Sequence, residues 1–172
     1  MIDKSAIFVS NFRSEIKLLR TPISLEEEHG ELMRTLRTAG NRQDKTGEAV
    51  RDLLGSLEPH FEKEERVAMP LLGVLPELVS GDKIENLRQI ADSQEPLLHE
   101  YNSMFQEHKS LIPLIERATG EAAKENHSGT VETLEALVHH ARVEEEVLYP
   151  AALLAGTLAK VLLRNEVQAV IR

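Results

Sequence analysis

Two segments of the chain each carry a histidine followed four residues later by a glutamate. The pairs are His60 with Glu64 and His140 with Glu144. In an α-helix this spacing places both side chains on one face, one turn apart. The imidazole can then bind a metal ion end-on, while the carboxylate reaches an adjacent ion or bridges two. If both segments are helical and face each other, they predict a metal site.

Breaker residues divide the sequence into helical blocks that could position these pairs. The predicted helices run from about 21 or 24 to 40, then over 45–72, 82–123, 130–150 and 151–171. Pro70 is expected to bend the end of the second helix, and Pro113 to kink the third. Pro96 is expected either to kink the third helix as well or to split it in two.

Substantial helices joined by short connections indicate an all-α fold, an up-down antiparallel four-helix bundle with an additional C-terminal helix. The chain has 172 residues, which is enough for one domain with a sizeable hydrophobic core and too few for two such domains. We predict a single domain over residues 1–172, with the bundle core at about 24–151. The N-terminal segment, 1–20, and the C-terminal helix, 151–171, are additions to that core.

Residues spaced three and four apart would face the bundle axis, and this seam is apolar with few exceptions in each helix of the bundle. The exceptions include His29 in the first helix and His108 in the third. In the second and fourth helices they are the histidine–glutamate pairs. The seam of the fourth helix is expected to consist of Leu137, His140, Glu144, Val147 and Ala151.

Six ionisable side chains would therefore share one bundle interior. They are His29, His60, Glu64, His108, His140 and Glu144. A carboxylate buried without a partner costs several kcal/mol or takes up a proton. One histidine on an apolar face is more often a hydrogen-bonded core residue, and one glutamate at a seam can mark a helix end. Six such residues on four helices are better explained by a cation that holds them.

Ligand type narrows the choice of cation. Mixed imidazole and carboxylate ligation suits iron, manganese or zinc better than calcium or magnesium. Two bridging carboxylates with few histidines for each ion favour a dinuclear iron site, that is, two iron ions per chain. Zinc and manganese remain alternatives.

Bulk composition limits the other classes of function. The net charge of −9 argues against nucleic acid or an anionic membrane as the main partner. The absence of cysteine excludes thiolate zinc sites, iron–sulfur clusters and cysteine nucleophiles from this chain. We find no signal peptide, and the most apolar stretch, 147–163, is broken by Pro150, Gly156 and Lys160. We therefore expect a cytoplasmic protein without a membrane span.

Four stretches resemble the hemerythrin-like family, also called HHE cation-binding domains. They are EEHGEL, HFEKEERVAMPLL, EHKSLIPLIE and HHARVEEEVLYPAAL, and the resemblance covers about residues 24–151. It implies an up-down four-helix bundle around a non-haem di-iron centre. By the resemblance, the four candidate histidines would be terminal ligands, and Glu64 and Glu144 would bridge. Members of the family are associated with oxygen binding, oxygen or nitric oxide sensing, iron homeostasis and iron–sulfur cluster repair.

The chain departs from the oxygen carriers of that family on the third and fourth helices. Those proteins have a second histidine one turn from the first on the third helix, where this chain has Met104 and Ile112. Their last carboxylate is an aspartate five residues after the histidine, whereas Glu144 follows at four. Six candidate ligands leave an open coordination position, a weaker site or an unrecognised ligand. Glu100 and Tyr101 are outside candidates for that ligand.

The remaining histidines are expected to lie away from the site. His99 is opposite the seam, His127 is in a turn, and His139 is the one ambiguity, because a small rotation of the fourth helix would favour it. The glutamate four residues after His140 decides between the two neighbours.

Together these observations predict a metal-binding protein that binds or senses oxygen, nitric oxide or iron. One alternative is an enzyme with an open iron site, which would reduce peroxide or nitric oxide or oxidise ferrous iron, but no separate general base or substrate pocket is visible in the sequence. A second alternative is an interaction module with a structural metal. For that role, leucines and valines over 153–163 cover more than one helical face and suggest a homodimer through the C-terminal helix, or burial within the domain.

Overall fold

The computed structural model describes residues 19–80, 84 and 86–171, so the predicted N-terminal segment lies almost wholly outside the described residues. The helices are α1 (Ile23–Gly40), α2 (Lys45–Val67), α3 (Met69–Gly73), α4 (Leu75–Ser80), α5 (Leu87–Asp92), α6 (Gln94–Lys124), α7 (Ser128–Val143) and α8 (Tyr149–Ile171). A π-helical turn, Glu144–Leu148, joins α7 to α8. No strand occurs in these ranges.

Four of the helices form the bundle that the sequence predicts. Helix α1 packs against α2 and α7, and α6 packs against the same two helices from the other side. The seams are buried over most of their length, with Leu36, Leu53 and Leu57 fully enclosed. The predicted all-α four-helix bundle is thereby confirmed.

The connection between α1 and α2 is tight because side chains close it. Asp44 is the N-cap of α2, and its carboxylate accepts a hydrogen bond from the Gly47 N–H at 2.9 Å. Glu125, from the end of α6, accepts bonds from the backbone N–H and the hydroxyl of Thr46. A Cβ on Gly47 would lie 2.1 Å from the carbonyl oxygen of Arg42, so only glycine fits this close approach.

The second and third predicted helices are shorter than the sequence suggested. Helix α2 ends at Val67, and the chain starts again at Met69 as α3, so the predicted helix over 45–72 is interrupted at Ala68. The predicted third helix is divided at Ser93, where α5 ends and α6 begins. Pro96 therefore lies in the first turn of α6, where a missing N–H is harmless. Pro113 lies inside α6.

Pro150 does not end the fourth helix, contrary to the prediction. The backbone N–H of Tyr149 donates to the Glu144 carbonyl, five residues back, which defines the π turn. A turn with one extra residue accommodates a proline that has no N–H to donate, and the chain continues into α8.

Because the π turn contains one extra residue, every later residue lies one position further along the helix than in an uninterrupted α-helix. In an uninterrupted α-helix Val147 would follow Glu144 on the seam, but Val147 is 55% exposed. The prediction that it faces inward was wrong. Tyr149 takes the inward position instead and is 1% exposed.

Helix α8 packs on the connection between α2 and α6. It contacts α3, α4, α5 and α6, and the contact with α6 is close, since a Cβ on Gly156 would lie 2.5 Å from the Cβ of Gln94. The Gln94 side-chain amide donates to the Leu153 carbonyl at 2.8 Å and to the Thr157 hydroxyl at 2.7 Å. An exposed stripe remains on the outer face, formed by Val147, Leu154, Leu158 and Val161. The homodimer through this helix stays a prediction.

The helix over Ser128–Glu166 is, by length and composition alone, apolar enough to cross a membrane. A core helix of a soluble protein passes the same test. Because His140 and Glu144 of this helix are buried against the rest of the bundle, composition is weak evidence for a span here.

Candidate metal centre

The six predicted side chains meet in the bundle interior. None is more than 6% exposed, and they come from α1, α2, α6, α7 and the first residue of the π turn. They divide into two groups of four that share both glutamates, and the potential ligand atoms within each group lie within 4.8 Å of one another. Each group could hold one metal ion. We call them the His29 half-site and the His60 half-site.

The His29 half-site contains His29 and His140, with one oxygen from each glutamate. The two Nε2 atoms are 2.9 Å apart, and His140 Nε2 is 2.9 Å from Glu144 Oε1. His29 Nε2 lies 3.6 Å from the same oxygen and 3.7 Å from Glu64 Oε2. The ring of His29 stacks on Phe61 with centroids 3.8 Å apart, which fixes its plane.

The His60 half-site contains His60 and His108, with the other oxygen of each glutamate. His60 Nε2 is 3.4 Å from Glu64 Oε1, and His108 Nε2 is 3.4 Å from Glu144 Oε2. Each carboxylate therefore offers one oxygen to each half-site. This is the arrangement of two bridging carboxylates between two cations.

Three buried atoms of the site lack a hydrogen-bond partner within the described part of the chain. They are His60 Nε2, Glu64 Oε2 and Glu144 Oε2. Buried polar atoms are nearly always paired, because an unpaired one costs roughly 1–3 kcal/mol. All three point into the shared interior, and all three are of atom types that bind transition metals. The residues present thus fit a bound metal pair.

The pKa values of the two glutamates shift in opposite directions. Burial and the neighbouring Glu144 carboxylate raise the pKa of Glu64 well above its usual range. Burial also tends to raise the pKa of Glu144, but the adjacent imidazoles of His108, His140 and His29 outweigh burial and hold that pKa well below the usual range. A cation between the two carboxyl groups would favour the ionised form of both.

Every candidate histidine faces a second carboxylate through its other ring nitrogen. The Nδ1 contacts are His29 to Glu65 at 3.4 Å, His60 to Glu107 at 2.9 Å, His108 to Glu145 at 2.9 Å and His140 to Glu28 at 3.0 Å. An Nδ1–H bonded to a carboxylate leaves Nε2 free to bind a metal and makes it a better donor. These four outer glutamates were not predicted from the sequence, because their spacing from the ligands differs from helix to helix.

Of the outside candidates, neither Glu100 nor Tyr101 reaches the site. Glu100 pairs with Lys63 at 3.2 Å, and the half-buried Tyr101 packs with Phe105, the two ring centroids 5.0 Å apart. Met104 is fully buried and Ile112 is half exposed, so neither replaces a ligand. The structure also places the other histidines as expected. His99 and His139 are exposed, and His127 bonds Asp44 in the turn after α6.

Tyr149 lies beside the His60 half-site, where the sequence reading had placed Val147. Its hydroxyl donates a hydrogen bond to Glu64 Oε1 and lies 3.4 Å from His108 Nε2. Its ring stacks on that of His108 with centroids 5.9 Å apart. Burial and the nearby carboxylates raise the pKa of this phenol far above its usual range.

A helical bundle that encloses two histidine pairs around two shared carboxylates defines a class of protein, the bundles that hold metal ions in their interior. The model of the hemerythrin HHE cation binding domain family matches residues 23–152. The chain therefore belongs to the hemerythrin family of HHE cation-binding domains. No curated protein matches the chain. No solved structure matches it either.

Proposed function

We propose that this protein binds a pair of iron ions and uses them to bind or sense oxygen, nitric oxide or iron itself. The observation that carries the proposal is the division of both buried carboxylates between two histidine pairs. Each half-site offers two imidazole nitrogens and two carboxylate oxygens, a donor set that suits iron better than calcium or magnesium. Zinc and manganese accept the same donors and are the alternatives.

When bound, iron would supply redox chemistry and affinity for small diatomic ligands. The chain's own residues hold, orient and shield it. Glu64 and Glu144 join the two half-sites, and the outer glutamates fix the histidine rings through Nδ1. Phe61 covers the His29 ring on one face, and the apolar seam excludes bulk water.

The arrangement favours binding or sensing over a separate catalytic task. Among the described residues, those that contact the six candidate ligands are apolar, as Phe61 is, or already paired with a ligand, as Glu107 is. A change in the bound iron would therefore have to be reported through the ligands and the helices that carry them.

Iron analysis of the purified protein tests the proposal. Cells grown with ample iron should yield protein with one iron ion for each half-site. The exposed Glu146→Gln variant is the matched control, since Glu146 is two residues from Glu144 and outside the site. Less than one iron ion per chain in the wild type would overturn the proposal.

Spectra of the reduced protein before and after exposure to air then separate the roles. Absorption bands that appear in air and disappear when oxygen is removed would support reversible oxygen binding. Oxidation that does not reverse would support sensing. Steady turnover of peroxide or nitric oxide that is lost in His108→Ala would instead favour the enzyme alternative.

A further inference from the structure

We infer that Tyr149 is a seventh metal ligand, binding the ion of the His60 half-site through its phenol oxygen. The inference rests on the proposed iron site and adds to it a residue that the histidine–glutamate pattern does not contain.

The position of the phenol oxygen supports this inference. It is within hydrogen-bond distance of Glu64 Oε1 and 3.4 Å from His108 Nε2, two atoms that would bind the same ion. His108 Nε2 is in turn 3.4 Å from Glu144 Oε2. Adjacent donor atoms around one transition-metal ion, each about 2.0–2.2 Å from it, lie roughly 3 Å apart. The 3.4 Å between the phenol oxygen and His108 Nε2 is therefore close to the spacing of two ligands on one ion.

The backbone explains why a tyrosine reaches this point. In an uninterrupted α-helix of this sequence, Leu148 would lie one turn after Glu144. The π turn gives that position to Tyr149, whose N–H bonds the Glu144 carbonyl. Such turns are frequent at functional sites, where they re-aim a side chain.

Packing holds the ring in place. It stacks on His108 and meets the ring of Phe105, with the centroids 5.9 Å apart in each pair. The side chain is 1% exposed, so water does not compete for the position. The phenol is thus fixed toward the ion before any metal binds.

Coordination of ferric iron by Tyr149 requires only the loss of the phenol proton. Ferric iron prefers hard anionic oxygen donors, and tyrosine oxygen is an iron ligand in some haem proteins. On binding, the O–H bond breaks, the oxygen keeps the electron pair and donates it to the ion, and the proton leaves to solvent. Glu64 then loses a hydrogen-bond donor and gains the ion as its partner.

The competing interpretation is that Tyr149 only orients Glu64 by a hydrogen bond. A ferric ion bound by tyrosinate absorbs in the visible through ligand-to-metal charge transfer, whereas a hydrogen bond to a carboxylate produces no such band. The chain has two tyrosines and no tryptophan or cysteine. Any tyrosinate band must therefore come from Tyr149 or from Tyr101, which supplies a control in the same protein.

The experiment compares ferric wild type, Tyr149→Phe and Tyr101→Phe, each loaded with iron and assayed for iron content. We expect the visible tyrosinate band in wild type and Tyr101→Phe and its complete loss in Tyr149→Phe. Iron-loaded wild type without the band, or a Tyr149→Phe variant that retains it, would overturn the inference. A wild type that binds no iron would count instead against the proposed function.

A second measurement covers the case in which Tyr149→Phe does not fold. Ring-deuterated tyrosine is incorporated into the Tyr101→Phe protein, so that Tyr149 carries the only label. Resonance Raman excitation in the visible band should then show phenolate modes shifted by deuterium. Unshifted modes, or the absence of phenolate modes, would contradict coordination by Tyr149.

Discussion

The two half-sites use the same types of ligand, yet their histidines are paired differently. The rings meet edge to face in both pairs, at 72° with centroids 4.8 Å apart in the His29 half-site and at 69° with centroids 4.6 Å apart in the His60 half-site. In the His29 half-site the two Nε2 atoms are 2.9 Å apart, a hydrogen bond that requires a proton on one of them. In the His60 half-site, His60 Nε2 has no hydrogen-bond partner within the described chain. The two histidines of the His29 half-site are therefore within hydrogen-bond distance of each other, whereas the His60 half-site has a ring nitrogen without a partner.

The difference has an energetic consequence. An ion that enters the His29 half-site must replace a hydrogen bond worth about 0.5–1.5 kcal/mol. An ion that enters the His60 half-site binds His60 Nε2, which otherwise has no partner in the described chain. Binding there removes a free-energy penalty about as large as the hydrogen bond lost in the other half-site. We therefore expect the His60 half-site to bind the first equivalent of metal, about tenfold more tightly.

The largest effect should come from the residue that both half-sites share. Glu144→Gln removes the negative charge that contacts His29, His108 and His140. We expect iron affinity in both half-sites to fall on the order of a hundredfold or more, because a buried site loses half of its anionic ligands. Iron content and calorimetric titration measure it, with Glu146→Gln as control. A variant that keeps one tightly bound ion would show that the half-sites are less coupled than the geometry implies.

Single-histidine variants test the order of filling. His29→Ala should keep one ion at the affinity of the first equivalent in wild type. His60→Ala should keep one ion as well, but bound about tenfold more weakly, because only the His29 half-site remains. Titration of both metal-free variants with ferrous iron under anaerobic conditions gives the two constants. Equal dissociation constants for the two variants would contradict the expected difference in affinity between the half-sites.

The outer carboxylates allow a finer comparison. Glu107→Gln removes the anionic acceptor from His60 Nδ1, and Glu28→Gln does the same for His140. Each should weaken only its own half-site, by about tenfold. The Glu107 change should be the larger of the two, since Glu107 is also held by Lys63 and Ser103 and is less exposed than Glu28. Weakening of the opposite half-site by either variant would contradict this assignment.

The smallest effect concerns the stability of protein stripped of metal by a chelator. Glu64→Gln should raise the midpoint of thermal unfolding by a few degrees at neutral pH, because a neutral amide needs neither the proton uptake nor the second buried charge that the raised pKa of Glu64 makes costly. Its amide oxygen can still accept the bond from Tyr149. The exposed Glu146→Gln is the control. A lower midpoint than that of the stripped wild type would show that ionised Glu64 stabilises the fold.

The burial of the six candidate ligands could be predicted from the sequence because each seam repeats over several turns. The predicted inner face of α2 carries Leu53, Leu57, His60 and Glu64. The structure buries all four side chains, as the spacing predicts. Helix ends were less predictable. Ala68 interrupts a region whose apolar spacing continues, and Pro70 follows in the first turn of α3.

Tyr149 could not be predicted because periodicity assumes a constant turn. The π turn adds one residue after Glu144, and no residue type in that segment requires it. Val147 was therefore expected inside, and the phenol beside the site was missed. Pro150 was a weak sign, since a proline within a helix favours a local departure from α geometry, yet Pro113 lies inside α6 without a π turn.

The π turn also determines the effect of deleting or inserting one residue at this point of the chain. Loss of one residue between Glu145 and Leu148 would let the turn close as ordinary α-helix, with the tyrosine still one turn after Glu144. Gain of one residue would rotate all of α8 by about 100° about its axis and carry both the phenol and the Gly156 contact away from their partners. Shortening should keep the phenol at the site but place Pro150 in plain α-helix, whereas lengthening should move the phenol away from the site.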